Sequence, residues 1–419
     1  MAERSVAVVG GGLAGLVTAL AVARTGRRVD LVDPDGERAD ARTTAMLEPT
    51  VAVLRSLGVW SEIEPDTAAL RTMRIIDGSR RLLRAPTVSF DASEIGRGAF
   101  GHNVPNAVAA RALRSAIERE DAITSHPSRV ATIEHEADSV GLTLEGGTCL
   151  EAALVVGADG RASPVRRAAN IRARDWSYPQ AAIVTTFRHE LPHGDMSTEF
   201  HTEHGPATQV PLPGRRSSLV WVTTPHEAER LAALPGDALS TAVEERLASI
   251  LGRVDVDGPV QRFPMAAMIA ESYAGHRTML VGEAAHAFPP IGAQGFNLTM
   301  RDVVDASEMQ RDAADPGAAD ITRGYAALRG RDAQLRTLAV DALNRSLLSG
   351  LLPVQAAKAV GLGALKALPP LRQAVMREGF EPSRASRRGV GMALANRLGA
   401  RLRALEGSRT AATGPTPRE

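Results

Sequence analysis

Aromatic residues are scarce in this 419-residue chain: Phe, Trp and Tyr together make up 3%. Modules that bind nucleic acid by stacking bases on aromatic rings need more. Lys+Arg 49 against Asp+Glu 48 leaves a formal net charge of +1, so no overall basic field exists to draw in a phosphate backbone either. Both observations count against nucleic acid as a partner. The single cysteine, Cys149, cannot close an internal disulfide and suits a reducing compartment; it reads as a small core side chain. No apolar run reaches the roughly 20 residues that cross a bilayer. There is no secretory signal at the start, where Ser5-Val6-Ala7-Val8-Val9 runs straight into glycines and reads as a buried strand. No metal site is expected.

What is present is ordinary bulk, 44% hydrophobic and 23% charged, in a chain too long for one compact core, so two or three domains are expected. Charge is uneven. From Ser346 to Glu419 there are 12 Lys+Arg against 4 acids, a surplus of +8, which leaves about −7 for the first 345 residues. A basic end on an acidic body points to an anionic surface.

Along the chain, Val6–Val9, Leu13–Thr25 and Val29–Val32 read as strand, helix and strand. Residues 43–57 have helical spacing, and 72–90 read as strands with a hairpin at Asp77-Gly78. Residues 106–118 read as helix and 128–156 as three strands. The stretch 181–224 is rich in β-branched residues and turns and reads as an antiparallel sheet. Helix is expected at 237–251, a short buried strand at 279–281, mostly helix from 298 to about 405, and disorder at 407–419.

Three segments carry the chemistry. Gly10-Gly11-Gly12-Leu13-Ala14-Gly15 follows a strand and opens a helix, the arrangement that lets backbone approach a pyrophosphate at a helix N-terminus. Asp33 ends the next strand, where its carboxylate can accept from ribose hydroxyls. Gly157-Ala158-Asp159-Gly160 follows the apolar run Leu154–Val156. Gly282-Glu283-Ala284-Ala285-His286 follows Met279–Val281, with Gly292-Ala293-Gln294-Gly295-Phe296-Asn297 behind it. Gly292 and Gly295 allow backbone to lie against a planar ring, and the following helix start can stabilise negative charge. Three strand–glycine–acid units far apart in sequence meet most simply in one parallel sheet around one ligand, with the antiparallel domain inserted. Arg166 and Arg167 read as a solvated pair. His286 reads as bonding its own loop before it reads as catalytic.

Together these segments resemble the class A flavoprotein aromatic hydroxylases, the p-hydroxybenzoate-hydroxylase-like fold, and among them the ubiquinone-biosynthesis hydroxylases. Asp40 to Leu47, Asn103-Val104-Pro105-Asn106, Val281 to Asn297 with Pro289-Pro290, and Arg331-Asp332 through Gly379 carry the resemblance over about residues 5–380. It implies an α/β fold: a discontinuous Rossmann-like FAD-binding domain (1–75, 101–178, 271–345), an inserted antiparallel-sheet substrate domain (76–100, 179–270), a C-terminal helical region (346–405) and a tail (406–419). It implies that Gly10, Gly12, Ala14, Gly15, Asp33, Arg42, Asp159, Gly282, Glu283, Gly292, Gly295 and Asn297 hold FAD. Glu283 stands where the family most often has Asp.

The implied reaction is hydroxylation of a polyprenylated phenol through a flavin C4a-hydroperoxide, with O2 and NAD(P)H. The phenol's protein partner is not identified by the resemblance; His201, Gln209 and Trp221 lie on strands expected to face the pocket, with His286 beside them. A dehydrogenase using only the first loop would leave the other two unexplained. The Trp-x-Trp-x-Ile-Pro segment of flavin halogenases is missing. The remaining alternatives are a hydroxylase of another phenol or an FAD-stabilised scaffold in a quinone-biosynthesis complex. A tail that stays in the bilayer would bring the enzyme to the inner face of the membrane. Residues 346–405 would make that contact, through uncharged Ser346 to Ala357 and then Lys358, Lys366, Arg372 and Arg377 among leucines and valines.

Overall fold

The computed structural model describes residues 4–34, 40–79, 84–203, 205–289, 294–330 and 352–380. The opening unit is β1 (Ser5–Val9), α1 (Leu13–Ala23) and β2 (Val29–Val32), followed by β3 (Thr43–Leu47) and α2 (Glu48–Ser56). The chain then crosses to a second sheet with β4 (Thr72–Asp77) and β5 (Val88–Asp91), and returns through β6 (Gly101–Pro105) and α3 (Asn106–Glu118). Next come β7 (Ile123–His126), β8 (Val130–His135), β9 (Val140–Leu144) and β10 (Cys149–Gly157). The second sheet is completed by β11 (Ala173–His189), β12 (Met196–Thr202), β13 (Gly205–Leu212), β14 (Arg216–Thr223) and β15 (Gln261–Ala270), with α4 (Pro225–Ala232) and α5 (Gly236–Arg246) between the last two. β16 (Thr278–Leu280) and α6 (Gln294–Arg311) rejoin the first body, and α7 (Leu352–Ala367) and α8 (Pro369–Phe380) follow.

In the first sheet β16, β10, β1, β2 and β7 lie side by side and parallel, and β9 and β8 extend it from β10 in antiparallel fashion. The near-continuous valines and leucines of β1, β2 and β10 are what a parallel strand covered on both faces requires. α1 packs on α3 and α6, so it is apolar nearly all round. The second sheet runs β15, β11, β14, β13, β12, β4, β5, antiparallel except where β12 meets β4. One face is covered by α4 and α5: Ile183, Phe200, Leu219 and Trp221 share a core with Ala228, Leu231, Leu239 and Val243. This is the α/β class expected, with an antiparallel sheet reached and left twice by a parallel one.

Several local expectations need correction. Residues 43–47 are a strand, because Thr43 to Leu47 pair with Pro105 to Gly101 and bury Met46; the helix begins only at Glu48. Tertiary pairing overrides the helical spacing there. β4 and β5 do pair, Thr72 with Asp91 through Ile75 with Val88, but through a long connection and not a tight turn at Asp77-Gly78. Cys149 is exposed, at the outer start of β10. Arg166 is buried, donating to the Ala284 and Arg161 carbonyls, while Arg167 stays exposed.

A buried carboxylate fixes the third glycine segment. Asp302 of α6 has no exposed surface. Its Oδ2 accepts from the Gly282 N–H at 3.0 Å and lies 2.6 Å from His286 Nε2, and its Oδ1 accepts from Arg329 Nε at 2.7 Å. Arg329 also reaches Asp305, and Tyr325 donates to the Leu280 carbonyl. Burial alone would raise the Asp302 carboxyl, but the charges of His286 and Arg329 and the hydrogen bonds hold it below the usual carboxylate range. A depressed carboxyl stabilises the fold above its unfolded value, about pH 4, and that contribution is lost as pH falls through the folded value. Asp302→Asn is expected to cost about 3–5 kcal/mol at neutral pH, since it leaves a buried arginine short of its counter-ion. Urea midpoints for the two proteins should converge as pH is lowered below about 4; a gap that stays constant with pH would count against this role.

Candidate functional site

Val9, Gly157 and Leu280 are register neighbours across β1, β10 and β16, so the three glycine segments leave the same edge of one parallel sheet. Close approach dictates two of the first loop's glycines. Gly10 has φ +123°, and a Cβ there would lie 2.3 Å from the Ala158 carbonyl oxygen; one on Gly15 would lie 1.8 Å from the Gly10 oxygen. Gly12 differs. Its φ of −75° suits any residue, and a Cβ on it would meet no protein atom within 4 Å. The space beside Gly12 opens onto the N-terminus of α1, where first-turn N–H groups have no helical partner and favour an anion. Ala14 lies within van der Waals reach of the Gly282 position, which joins the first and third segments.

Three acids border this space. Asp33 is buried at the end of β2 and packs against Gly11, where a Cβ would fall 1.7 Å from its Oδ1. Arg114 of α3 bonds Asp33 and donates to the Gly11 carbonyl at 3.0 Å. Nothing in the sequence singled out Arg114, since a helical arginine 81 residues from its partner leaves no local signal. Asp159 accepts from the Val165 N–H at 3.0 Å through Oδ2, but its Oδ1 is buried without a partner. Burial pushes the Asp159 carboxyl above the usual range. A hydroxyl or water donating to Oδ1 would relieve that cost. Glu283 is exposed on the third segment. Arg42 is clamped to Asp40 by two hydrogen bonds of 2.8 and 2.7 Å and lies over the Phe263 ring at 5.7 Å. The Asp40 hydrogen bond chiefly holds its guanidinium above the ordinary range, and the Glu283 charge adds to that.

An open glycine cradle at a helix start, an orphaned buried carboxylate oxygen and two further acids fit a dinucleotide with a pyrophosphate and several hydroxyls. Other expected site residues are placed as follows. The Asn297 side chain accepts from the Leu47 N–H and Thr50 Oγ1 and donates to the Ala45 carbonyl, so it stitches α6 to β3 and α2. Gly295 opens to free space, and Gly292 lies outside the described residues. His286 is buried against Asp302 and stacked between Tyr273 and Phe288, a brace for its loop.

The second sheet has two faces with different partners. Trp221 belongs to the core under α4 and α5, and Gln209, the register partner of Leu219, shares its face; its amide donates to Ser217. Both therefore point away from the first body, contrary to expectation. The opposite face meets it. Ser218 accepts from Thr43 at 2.9 Å and from Asn103 at 3.3 Å, and Phe263 lies under Arg42. His201 is on this face, bonded to Glu199 at 2.6 Å.

Residues 3–309 match the FAD binding domain family. The chain is 34% identical over 400 residues to ubiquinone hydroxylase UbiL of Rhodospirillum rubrum, covering 91% of this chain and 92% of that protein. It is 32% identical over 310 residues to the 3-demethoxyubiquinol 3-hydroxylase of Escherichia coli, covering 71% and 77%. Among solved structures, p-nitrophenol 4-monooxygenase PnpA from Pseudomonas putida matches with a TM-score of 0.75 at 18% identity, over 90% of this chain and 98% of that one. Klebsiella pneumoniae HpxO complexed with FAD and uric acid matches with a TM-score of 0.73 at 20% identity, over 90% and 96%. Both structural likenesses are of fold.

The Gly12 geometry gives a clean test. Gly12→Val is expected to fold, with a melting temperature close to the parent's, yet to retain no FAD after purification, because its side chain fills the open cradle. Gly15→Val should instead fail to fold. Absorbance near the flavin band per mole of protein, read beside circular dichroism, decides between these; full flavin occupancy in a folded Gly12→Val protein would displace the pyrophosphate from this loop.

Proposed function

The chain belongs to the FAD-dependent aromatic hydroxylases, and from that premise we propose that it hydroxylates the ring of a polyprenylated phenol in ubiquinone biosynthesis, with O2 and NAD(P)H. The observation that carries this reading is the convergence of three glycine segments at one end of one parallel sheet. FAD, when bound, supplies the activation of O2. The protein's part is placement. The α1 N-terminus and Gly12 receive the pyrophosphate, Asp33 and Asp159 take hydroxyls, and Arg42 and Glu283 stand toward the ring system. The domain boundaries proposed are 1–75, 101–178 and 271–345 for the cofactor, and 76–100 and 179–270 for the substrate. Two relatives named for ubiquinone-type substrates favour a phenol with an isoprenoid tail over other phenols. Purified enzyme given a short-chain prenylated phenol should oxidise NAD(P)H faster and release a product one oxygen atom heavier. A scaffold without catalysis would show neither.

We further propose that the enzyme works at the inner face of the membrane. Among the described residues no helix is long and apolar enough to cross one. Leu371 and Val375 are exposed on α8 and Leu368 just before it, and Lys366 at the end of α7 and Arg377 on α8 are exposed as well. The adjoining side holds the helix on the body: Met376 packs with Ala92 and Phe100, and Arg372 bonds Glu94 at 2.7 Å. Arg372 is therefore an anchor and not a lipid contact, which corrects its expected role. Residues 346–351 and 381–405, also expected at the surface, and the Lys358 side chain lie outside what is described. Exposed basic residues beside an apolar stripe suit an anionic lipid surface, at about 1 kcal/mol each. Liposome flotation should recover the protein with anionic vesicles at low salt, and Lys366→Glu with Arg377→Glu should weaken recovery roughly tenfold or more. Recovery unchanged by the reversals would remove the membrane role.

A further inference from the structure

The free face of the second sheet carries a carboxylate–imidazole pair that cofactor binding does not use. Val184, Val220, Thr208, Glu199 and Ile75 stand in register across β11, β14, β13, β12 and β4, with side chains on the face that meets the first body. All five are half-buried. One end of this face is closed by the Thr43–Ser218 bond, and Phe263, the register partner of Ala182, meets Arg42 near the cofactor segments. The row is apolar except at Thr208 and Glu199. Glu199 Oε1 is held by His201 Nε2 at 2.6 Å, whereas among the described residues Oε2 has only the Thr208 hydroxyl, at 3.4 Å. The His201 side chain is more than nine-tenths buried, and its Nδ1 has no hydrogen-bond partner.

We propose that Glu199, braced by His201, accepts the phenolic O–H of the substrate and takes its proton. The assignment rests on the phenol-hydroxylase reading above. A ring lying on Val184 and Val220 would bring its hydroxyl to Thr208 and Glu199. The phenol O–H bond breaks and an O–H bond forms at Glu199 Oε2. The electron pair stays on the phenolate oxygen and enriches the ring for attack by an electrophilic oxygen, and no oxidation state changes in this step. His201 fixes the carboxylate, and so acts as a positioning residue. The other charged groups nearby are otherwise occupied: Asp77, across β4 from His201, accepts from the Ser79 and Ala85 N–H groups, and Arg246 lies over Trp221 on the opposite face.

The test uses full-length, FAD-loaded enzyme and 2-prenyl-4-nitrophenol, whose visible band appears when it ionises. Wild-type protein, at a pH where the free probe is protonated, should bind it with that band. Glu199→Gln should lower the band roughly tenfold or more, the scale of a lost hydrogen bond to a charged group, at unchanged FAD content. His201→Asn should lower it less, and Glu199→Asp, which keeps the carboxylate, should retain part of it. Equilibrium dialysis reports binding separately. A Glu199→Gln protein that binds the probe with the full band overturns the assignment, as does wild-type protein that binds it only as the neutral phenol. Wild-type protein that binds no probe sinks the phenol-hydroxylase reading itself, and this assignment with it.

Discussion

The site depends on one buried carboxylate. Asp302 receives the Gly282 N–H, His286 and Arg329 at once, and so binds α6 to the loop after β16. Gly282 sits at φ +59°, a turn that glycine tolerates, and Glu283 leaves it toward solvent. Without Asp302 the loop's amide would be unpaired in the interior and the buried Arg329 would lose a counter-ion. Because α6 also packs on α1, the same carboxylate sets the distance between the first and third cofactor segments. The position of Glu283 relative to Gly12 is thus a consequence of core electrostatics and not of loop sequence.

The second constraint is the joint between the sheets. β3, β6 and the short strand Ala68–Ala69 form a small sheet of their own, and from it Thr43 and Asn103 reach Ser218. These hydroxyl and amide contacts occupy only one end of the second sheet's free face. The next row, from Val184 to Ile75, is left half-buried and mostly apolar. A planar, apolar substrate suits such a surface, since its burial is favourable and needs few polar partners. Polarity is confined to Thr208 and Glu199, where a hydroxyl needs it.

The glycine segments were legible because their geometry is local: strand, tight turn and helix start lie within a dozen residues, and each has its own signature. The long β-branched stretch likewise announced an antiparallel sheet. Which face of that sheet meets which body was not legible. Period two separates Trp221 from Val220 but does not say which one a helix covers, and the helices that decide it, α4 and α5, come later in the chain. The same limit hid Arg114, whose partner Asp33 is distant in sequence, and Asn297, whose place in a glycine-rich segment suggested a ligand while its amide was needed between α6 and β3. Residues 43–47 failed for a related reason: a five-residue strand depends on the partner that pairs with it.

Basic residues show how far charge counting carries. Arg277 is buried on Asp315 and the Ala153 carbonyl, Arg329 on Asp302 and Arg166 on two carbonyls, and half-buried Arg372 bonds Glu94. Arginine serves these places because its fork of donors can satisfy several acceptors at once and stays charged when buried. Each such residue adds to a net charge read from sequence but little to the field outside, since its charge is neutralised or enclosed. A surplus of positive charge near a chain's end therefore does not by itself make a lipid-binding face. Around α8 the case for one comes from the division of its sides: Arg372 and Met376 face inward, while Leu371 and Val375, with Leu368 just before the helix, are left in water, and Lys366 and Arg377 are exposed on the same two-helix segment. An apolar stripe that the protein's own core leaves uncovered costs solubility unless something else covers it, and basic margins select an anionic cover.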